Sequence, residues 1–364
     1  MTRRRFFTSL VTALVAIVCV IGCGERKSQQ APTLKIAVIL PETGAGAVFA
    51  DYIKKGVDLA TEEVNAREPG AMRLIYGDSR NDPTTGVSVF RQFVLTEKPP
   101  VAIVALSSVT KAVGPLAKEN NTVVIGAAVA LPNVTAPSEF VFRVYPEATE
   151  LAGVMAKYAS QRLKTAAVVY INDDFGLSGS EVFKRIFESA GGKVLLTEPY
   201  SLTEKDFRTQ WEKIKSAKPE CVWVTGYGPA YSTIVRQMRE ARVESVLLAD
   251  MTLGLPVTVK NVGTAAEGVV YVDGPIDAGF AERFRKKYGE EPTSYAGYAY
   301  DIIKMLDQVR RAEGTSPEKV RDGLSKIKDF PGAMGSITIQ SNRDAALKFR
   351  LMQVKSGVPV PLEK

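Results

Sequence analysis

The sequence of 364 residues contains no histidine. Histidine is the usual general base near neutral pH and the commonest metal-binding side chain. Its absence excludes Ser-His-Asp and Cys-His catalysis as well as histidine-liganded zinc. Many enzyme classes are therefore excluded, and we expect no catalytic residue, no metal site and no cofactor.

Cysteine is almost as scarce, with three in the whole chain. Cys19 and Cys23 lie near the N-terminus, so Cys221 is the single thiol of the remaining sequence. No internal disulfide can form there. Cys221 lies in the apolar run 220–224, which favours a buried, inert thiol over a nucleophile.

The chain also lacks a block of like charges and a long apolar run. The net charge of +7 falls to +4 without residues 1–22, because three arginines and no acid are lost. We therefore expect no nucleic acid as a partner. After Ile21, no apolar run reaches the roughly 20 residues of a membrane span.

The N-terminus has the layout of an export signal. Arg3, Arg4 and Arg5 precede an apolar segment, Leu10 to Ile21, which is too short to span a bilayer. The four residues that end at Cys23 resemble a bacterial lipobox. This resemblance implies that residues 1–22 are removed as a lipoprotein signal peptide and that Cys23 receives the lipid.

Two alternatives to this interpretation stay open. The segment could be an ordinary secretory signal with an incidental cysteine. Residues 2–7 also resemble a twin-arginine motif, although the general export route is favoured.

The polar stretch 23–33 cannot bury a core and is predicted to be a flexible tether. We therefore expect a periplasmic or otherwise extracytoplasmic protein anchored to the membrane.

From Leu34 onward, short β-rich runs alternate with helical patterns. The first are a strand at Leu34–Leu40 and a helix at Asp51–Ala66 with apolar residues at helical spacing. Repeated βαβα order predicts a parallel sheet covered by helices on both faces. The length suits two such units. We therefore predict an α/β fold with two doubly wound lobes.

The C-terminal part of the sequence departs from this alternation. Three helical patterns, near 280–288, 295–312 and 317–327, follow one another without strands between them. Two strands, Ser336–Ile339 and Lys348–Val354, are then predicted to pair across a turn at residues 341–344.

Polar and small residues follow the predicted strands, at the ends where open α/β sheets bind ligands. These segments are 43–46, 106–108, 126–128, 172–176, 226–228 and 249–251.

These segments, in this order, resemble the type I periplasmic binding proteins of the branched-chain amino acid (Leu/Ile/Val-binding) family. The resemblance covers nearly the whole chain after residue 33. It rests on segments 41–44, 82–83, 107–108, 142–143, 174–176, 226–227, 266–269 and 299–301.

The resemblance implies two lobes that close around a small ligand and deliver it to an ABC transporter permease. Lobe 1 would comprise residues 34–145 and 274–334, and lobe 2 residues 146–273 and 335–364. Three crossings, near Tyr145, Gly274 and Gly335, would form the hinge.

The resemblance also implies where the ligand binds. Ser107 and Ser108 open a helix after a strand, which suits a carboxylate, although a plain helix cap is the alternative. Tyr227 lies between glycines and is expected to face the cleft, unless it packs on the lobe surface. Phe49 and Phe175 occupy positions of ligand-facing rings, with core or hinge packing as the alternative.

The departures from the family pattern concern the ammonium group of an amino acid. Ala128, at the end of a predicted strand, is also expected to contact the ligand. The chain has Ala130 where the amino-acid binders of this family carry a threonine, and it has Met251 where they carry a glutamate. An ammonium group without a counter-charge is costly. Either Asp250 supplies that charge, or the ligand is not an ordinary α-amino acid. The second alternative is favoured.

Two other functions are alternatives to a transport protein. A receptor module that senses a solute and acts on a membrane signalling partner would have the same fold and pocket. An α/β enzyme is the remote alternative, because segment 44–49 lacks the third glycine of a dinucleotide fingerprint and segment 176–179 has no histidine to serve it. Asp173 and Asp174 before a helix favour ordinary caps over catalytic acids.

Overall fold

The computed structural model describes residues 32–44 and 46–363. The signal segment, Cys23 and most of the predicted tether lie outside these residues, so predictions about them stay predictions. Among the described residues, no helix is long and apolar enough to cross a bilayer.

The first lobe is built on a parallel sheet with the strand order β2-β1-β3-β4-β5. Every residue of β3, β4 and β5 is buried, because helices cover both faces of the sheet. The strands are β1 (Leu34–Leu40), β2 (Met72–Asp78), β3 (Val101–Ala105), β4 (Val123–Ala127) and β5 (Val141–Arg143).

Helices connect β1 to β2, β2 to β3 and β3 to β4, as the alternation predicted. They are α1 (Ala47–Arg67), α2 (Pro83–Thr96), α3 (Ser107–Val113) and α4 (Leu116–Glu119). On α1, the apolar residues at helical spacing are fully buried, which confirms the predicted core face: Ile53, Val57, Ala60 and Val64.

The second lobe repeats the pattern with five parallel strands. Its elements are α5 (Ala148–Ser160), β6 (Thr165–Ile171), α6 (Asp174–Ser189), β7 (Lys193–Tyr200), α7 (Arg208–Ala217), β8 (Cys221–Thr225), α8 (Gly228–Glu240), β9 (Val246–Ala249), α9 (Pro256–Val262) and β10 (Val270–Asp273). Cys221 is fully buried, and burial raises the pKa of its thiol to about 12. The prediction of a buried, inert thiol is confirmed.

After β10 the chain returns to the first lobe. Three helices follow without intervening strands, as predicted: α10 (Ala278–Tyr288), α11 (Ser294–Ala312) and α12 (Pro317–Ser325). Helix α11 crosses α1 so closely that a Cβ on Gly56 would lie 2.1 Å from the carbonyl oxygen of Ala296. Glycine is therefore required at this crossing.

The predicted turn at residues 341–344 is present between β12 and β13, but the predicted pairing of 336–339 with 348–354 is wrong. The chain forms β11 (Phe330–Gly332), β12 (Gly335–Ile339) and β13 (Ala345–Ala346), then β14 (Arg350–Lys355) and β15 (Val358–Pro361). β12 pairs with β11 and β13 in a small separate sheet. β14 instead pairs antiparallel with β10 and with β15, which completes the second lobe's sheet in the order β15-β14-β10-β9-β8-β6-β7.

A buried arginine explains why the predicted hairpin does not form. The guanidinium of Arg143 in β5, 1% exposed, binds Asp344 at 2.8 Å and also Glu147. The backbone N–H of Arg143 donates to the carbonyl oxygen of Arg343 at 3.1 Å. The turn is therefore held against β5 of the first lobe with β12 and β13 paired on either side of it, and β14 pairs in the second lobe instead.

Candidate ligand-binding site

A cavity of about 150 Å³ lies between the two lobes, at the carboxyl ends of their strands. The first lobe contributes Gly46, Phe49, Asn81, Leu106, Ser107, Ser108, Ala128 and Ala130. The second lobe contributes Leu151, Asp173, Asp174, Phe175, Tyr227, Met251 and Thr252, and two tyrosines next to the crossings complete the wall, Tyr145 and Tyr295. A cavity of this size accommodates a molecule about as large as benzene.

Aromatic rings form one continuous wall of this cavity. The centroids of Phe49 and Tyr227 lie 6.0 Å apart, and Phe175 lies 6.3 Å from Tyr227. Phe49 also contacts Tyr295 at 5.1 Å, which in turn lies 5.5 Å from Tyr145. The wall therefore offers an apolar surface to a ligand body, and it joins the two lobes.

The two predicted serines line the cavity and do not cap their helix. The N-cap residue of α3 is Leu106, and no side chain caps this helix end. The Ser108 hydroxyl donates to Oδ1 of Asn81 at 3.4 Å, and no hydrogen bond of the Ser107 side chain to another described residue is present. The plain-cap alternative is therefore not what the structure contains, and both hydroxyls can face a ligand.

The backbone turns sharply where it leaves β3 and β4. Leu106 and Ala128 have φ values of 69° and 54°, in the left-handed region that non-glycine residues rarely adopt. Such conformations cost about 1–3 kcal/mol each and cluster at ligand sites. Both residues line the cavity.

Tyr227 is joined to an acid that the sequence analysis treated as a helix cap. Asp173 does cap α6, since its Oδ1 accepts from the N–H of Gly176 at 2.9 Å. Its Oδ2 accepts from the Tyr227 hydroxyl at 2.7 Å. Burial and the nearby charge of Asp173 raise the pKa of Tyr227. The phenol therefore stays protonated and keeps donating to Asp173.

Asp250 is the one predicted site residue that does not line the cavity. Its carboxylate is buried and accepts from Thr225 Oγ1 at 2.7 Å, Gly226 N at 2.8 Å and Thr252 N at 2.8 Å. Burial raises its pKa to about 6, against the opposing effect of these hydrogen bonds. Asp250 thus shapes the turns after β8 and β9, and its neighbour Met251 faces the cavity.

An ion pair bridges the lobes near the cavity. Lys111 Nζ, on α3 of the first lobe, lies 3.1 Å from Oδ2 of Asp174, on α6 of the second lobe. Both side chains are 62% exposed. The acids Asp173 and Asp174 are the only charged residues among the described residues that line the cavity.

Several lining residues were missed by the sequence analysis. Tyr145, Leu151 and Tyr295 flank the crossings, where no strand end marks them, and Asn81 lies in a loop after β2. Asp173 had a signal, because it follows a strand and precedes a helix. Acids that only cap a helix occupy the same kind of position. The sequence alone therefore does not distinguish a ligand-site acid from a helix cap, and the contact with Tyr227 does.

Two doubly wound lobes with a small cavity between their strand ends define a solute-binding protein. The model of the periplasmic binding protein family matches residues 33–359. The chain therefore belongs to the periplasmic binding proteins, and its relatives identify the branched-chain amino acid group of type I. Proteins of this family act outside the cytoplasm with ABC transporters.

The similar proteins are named for, or form complexes with, different ligands. Leu/Ile/Val-binding protein homolog 2 of Brucella abortus is 27% identical over 329 residues, covering 86% of this chain and 88% of the relative. A leucine-binding protein from Thermotoga maritima is 27% identical, with a TM-score of 0.84 and coverage of 91% and 98%. An R. palustris solute-binding protein in complex with benzoate is 20% identical, with a TM-score of 0.83 and coverage of 91% and 96%, a likeness of fold.

Proposed function

We propose that this protein is a lipid-anchored, extracytoplasmic solute-binding protein that captures a small amino acid or related carboxylate and delivers it to an ABC permease. The observation that carries the proposal is the small cavity whose walls come from both lobes. A ligand that contacts both walls binds the closed form best and stabilises it by mass action.

Closure is proposed to be a hinge movement about three crossings. Residues 34–145 with 274–346, and 146–273 with 350–364, are proposed as the two moving bodies, so the third boundary lies later in the chain than the residue 335 expected from the sequence. The first two crossings fall between β5 and α5 and between β10 and α10. The third crossing lies between β13 and β14. Residues 335–346 pair within the small sheet and with Arg143 of the first lobe, whereas β14 pairs in the sheet of the second lobe. This pairing favours a pivot at residues 347–349 over one near Gly335.

The ligand's carboxylate is proposed to bind the hydroxyls of Ser107 and Ser108. Helix α3 has only seven residues, so the hydroxyls carry this argument and the helix dipole adds little. The aromatic wall of Phe49, Phe175 and Tyr227 would contact the ligand's apolar body. Ala128 and Ala130 leave the space that larger side chains would fill.

The opposite end of the ligand is proposed to carry a hydrogen-bond donor that faces Asp173. Each carboxylate oxygen of Asp173 has one donor and can accept another. Met251 offers only a thioether, and Asp250 is buried with three internal donors and does not line the cavity. An ammonium or a hydroxyl group would meet the requirement. The ligand classes are therefore amino acids and hydroxylated carboxylates, including aromatic ones, within about 150 Å³.

The lipid anchor is proposed from the sequence around Cys23. Cys23→Ala should release the protein from the membrane into the soluble envelope fraction. Unchanged membrane association of the variant would contradict the anchor and leave the binding function untouched.

A ligand screen tests the binding function. We expect thermal shift to identify a stabilising ligand among amino acids, their keto acids and benzoates. In calorimetry, Ser108→Ala should weaken its binding by about 1–3 kcal/mol, because a buried charged oxygen loses a partner. Ser216→Ala, an exposed serine on α7, is the matched control. Binding of none of these classes, or equal affinities of the two variants, would contradict the proposal.

A further inference from the structure

A second cavity, of about 630 Å³, lies behind the first. Met251 and Tyr295 line both cavities and form the wall between them. The other walls come from the β10–β14 ladder, from α9, from the start of β15 and from residues 290–294 before α11. Its volume falls within the range of small-molecule sites. Both lobes contribute to it, and the function proposed above does not use it.

The strand register places an apolar pair beside a charged pair on its floor. In the antiparallel ladder, Tyr271 is opposite Met352 and Asp273 is opposite Arg350. Opposed side chains share a face of the sheet, and the two-residue period puts both pairs on the same face. All four residues line the second cavity.

Arg350 makes no direct hydrogen bond on this floor, although the opposed charge of Asp273 lies near enough to act on it. No hydrogen bond or ion pair joins its side chain to another described residue, and its Nε is buried without an acceptor. The hydrogen bonds of the opposed Asp273 go elsewhere, since its Oδ1 accepts from Gly274 N at 2.8 Å and from the Ser294 hydroxyl, and no hydrogen bond joins it to Arg350. A buried donor without an acceptor costs free energy, so an acceptor at this guanidinium would stabilise the site.

The other acids that line the cavity form ion pairs with other cations. Glu290 binds Lys55 Nζ at 2.6 Å, and Glu291 binds Arg285 Nε at 2.6 Å. The guanidinium fork matches a carboxylate in charge and geometry. The acceptor that fits the site is therefore the carboxylate of a ligand.

We propose that the second cavity binds a small amphiphilic carboxylate. Its carboxylate binds Arg350, and its apolar part packs against Leu255, Val259, Tyr271 and Met352, which line the same cavity. Because Met251 and Tyr295 form the shared wall, this ligand contacts the reverse side of residues that face the first cavity.

Octanoate is the probe for this site. We expect calorimetry to show saturable binding to the full-length protein, weakened about tenfold or more by Arg350→Gln, because a charge-assisted pair is lost. Lys355→Gln, an exposed cation at the other end of β14, should change the affinity less than about twofold. Equal affinities of the two variants would overturn the proposal.

Methionine methyl spectra locate the probe even if Arg350→Gln folds poorly. Octanoate should shift the methyl signals of Met352, which lines only the second cavity, and of Met251 in the shared wall. Met155, buried in α5 and lining neither cavity, is the internal control. A shift of Met251 without Met352, or no saturable shift at all, would overturn the proposal. The second result is also what a cavity filled by water alone would give.

Discussion

The hydroxyl of Tyr227, just after β8, donates to Oδ2 of Asp173, just after β6, at 2.7 Å. Residues 54 positions apart in the chain are thus joined beside the ligand cavity. Ala130 and Met251, which also line the cavity, offer no charge to an ammonium group. The structure instead brings the carboxylate of Asp173 to the cavity wall.

Asp173→Asn should weaken the binding of ligands with an ammonium group more than the binding of ligands without one. We expect the variant to weaken leucine binding by about 1–3 kcal/mol and to leave its deaminated keto acid nearly unaffected, because only leucine loses a counter-charge. Calorimetry with both ligands measures the difference. Asp206→Asn, an exposed acid on the second lobe, is the control. Equal losses for the two ligands would show that Asp173 does not meet an ammonium group.

Lys111→Ala should weaken ligand binding slightly, by less than about 1 kcal/mol. Its ion pair with Asp174 bridges the lobes, but both side chains are 62% exposed and solvent screens them. The effect should shrink at 1 M salt. Lys118→Ala is a matched control, since Lys118 pairs with Glu139 at 2.9 Å within the first lobe. An equal loss in both variants would contradict a role of the interlobe pair in closure.

The buried carboxylate of Asp250 should make stability depend on pH. Burial raises its pKa from 3.8 to about 6, so the folded protein binds this proton more tightly than the unfolded chain. Its contribution to the free energy of unfolding is therefore complete below pH 3.8 and is lost as the pH rises through 6. The loss is on the order of 2–3 kcal/mol.

Urea unfolding at pH 4.5 and 7 tests this dependence. Asp250→Asn should remove the Asp250 part of the difference between the two pH values. Thr225→Val should enlarge it, because the Thr225 hydroxyl donates to Asp250 and lowers its pKa. The same pH dependence in wild type and both variants would contradict the assignment.

Gly226→Ala should destabilise the protein and disturb Tyr227. A Cβ at position 226 would lie 1.7 Å from the hydroxyl oxygen of Tyr200. Relief of such an overlap costs about 1–3 kcal/mol. Tyr200→Phe removes the clashing oxygen, so the double variant should lose less stability than the sum of the single variants. Strict additivity of the unfolding free energies would contradict the steric explanation.

Much of the fold could be predicted because its signals are local. Strand β1 is apolar apart from Lys35, and α1 carries apolar residues at helical spacing. Helix α5 was missed, since its cap is the pair Glu147 and Glu150 and not a serine or threonine. The final strands were paired wrongly because Arg143, about 200 residues earlier in the chain, holds the turn between them.

Most of the candidate site could also be predicted, because parallel strands end at one edge of each sheet. Eight of the nine predicted ligand-binding residues line the cavity, and their contact with a ligand stays a prediction. Asp250 differs because adjacent residues after a strand point in different directions, and sequence spacing does not fix which one faces the cleft. Tyr145 and Tyr295 depend on how the lobes meet, which no local pattern records.

The buried state of Cys221 makes the protein suited to site-specific labelling. In the mature form proposed here, Cys19 is removed and the sulfur of Cys23 is blocked by lipid. Cys221 is then the only free thiol, and its pKa of about 12 keeps it from reacting with maleimides. A cysteine introduced at Leu177, 44% exposed on α6, would therefore carry the only dye. Its fluorescence could report closure in real time.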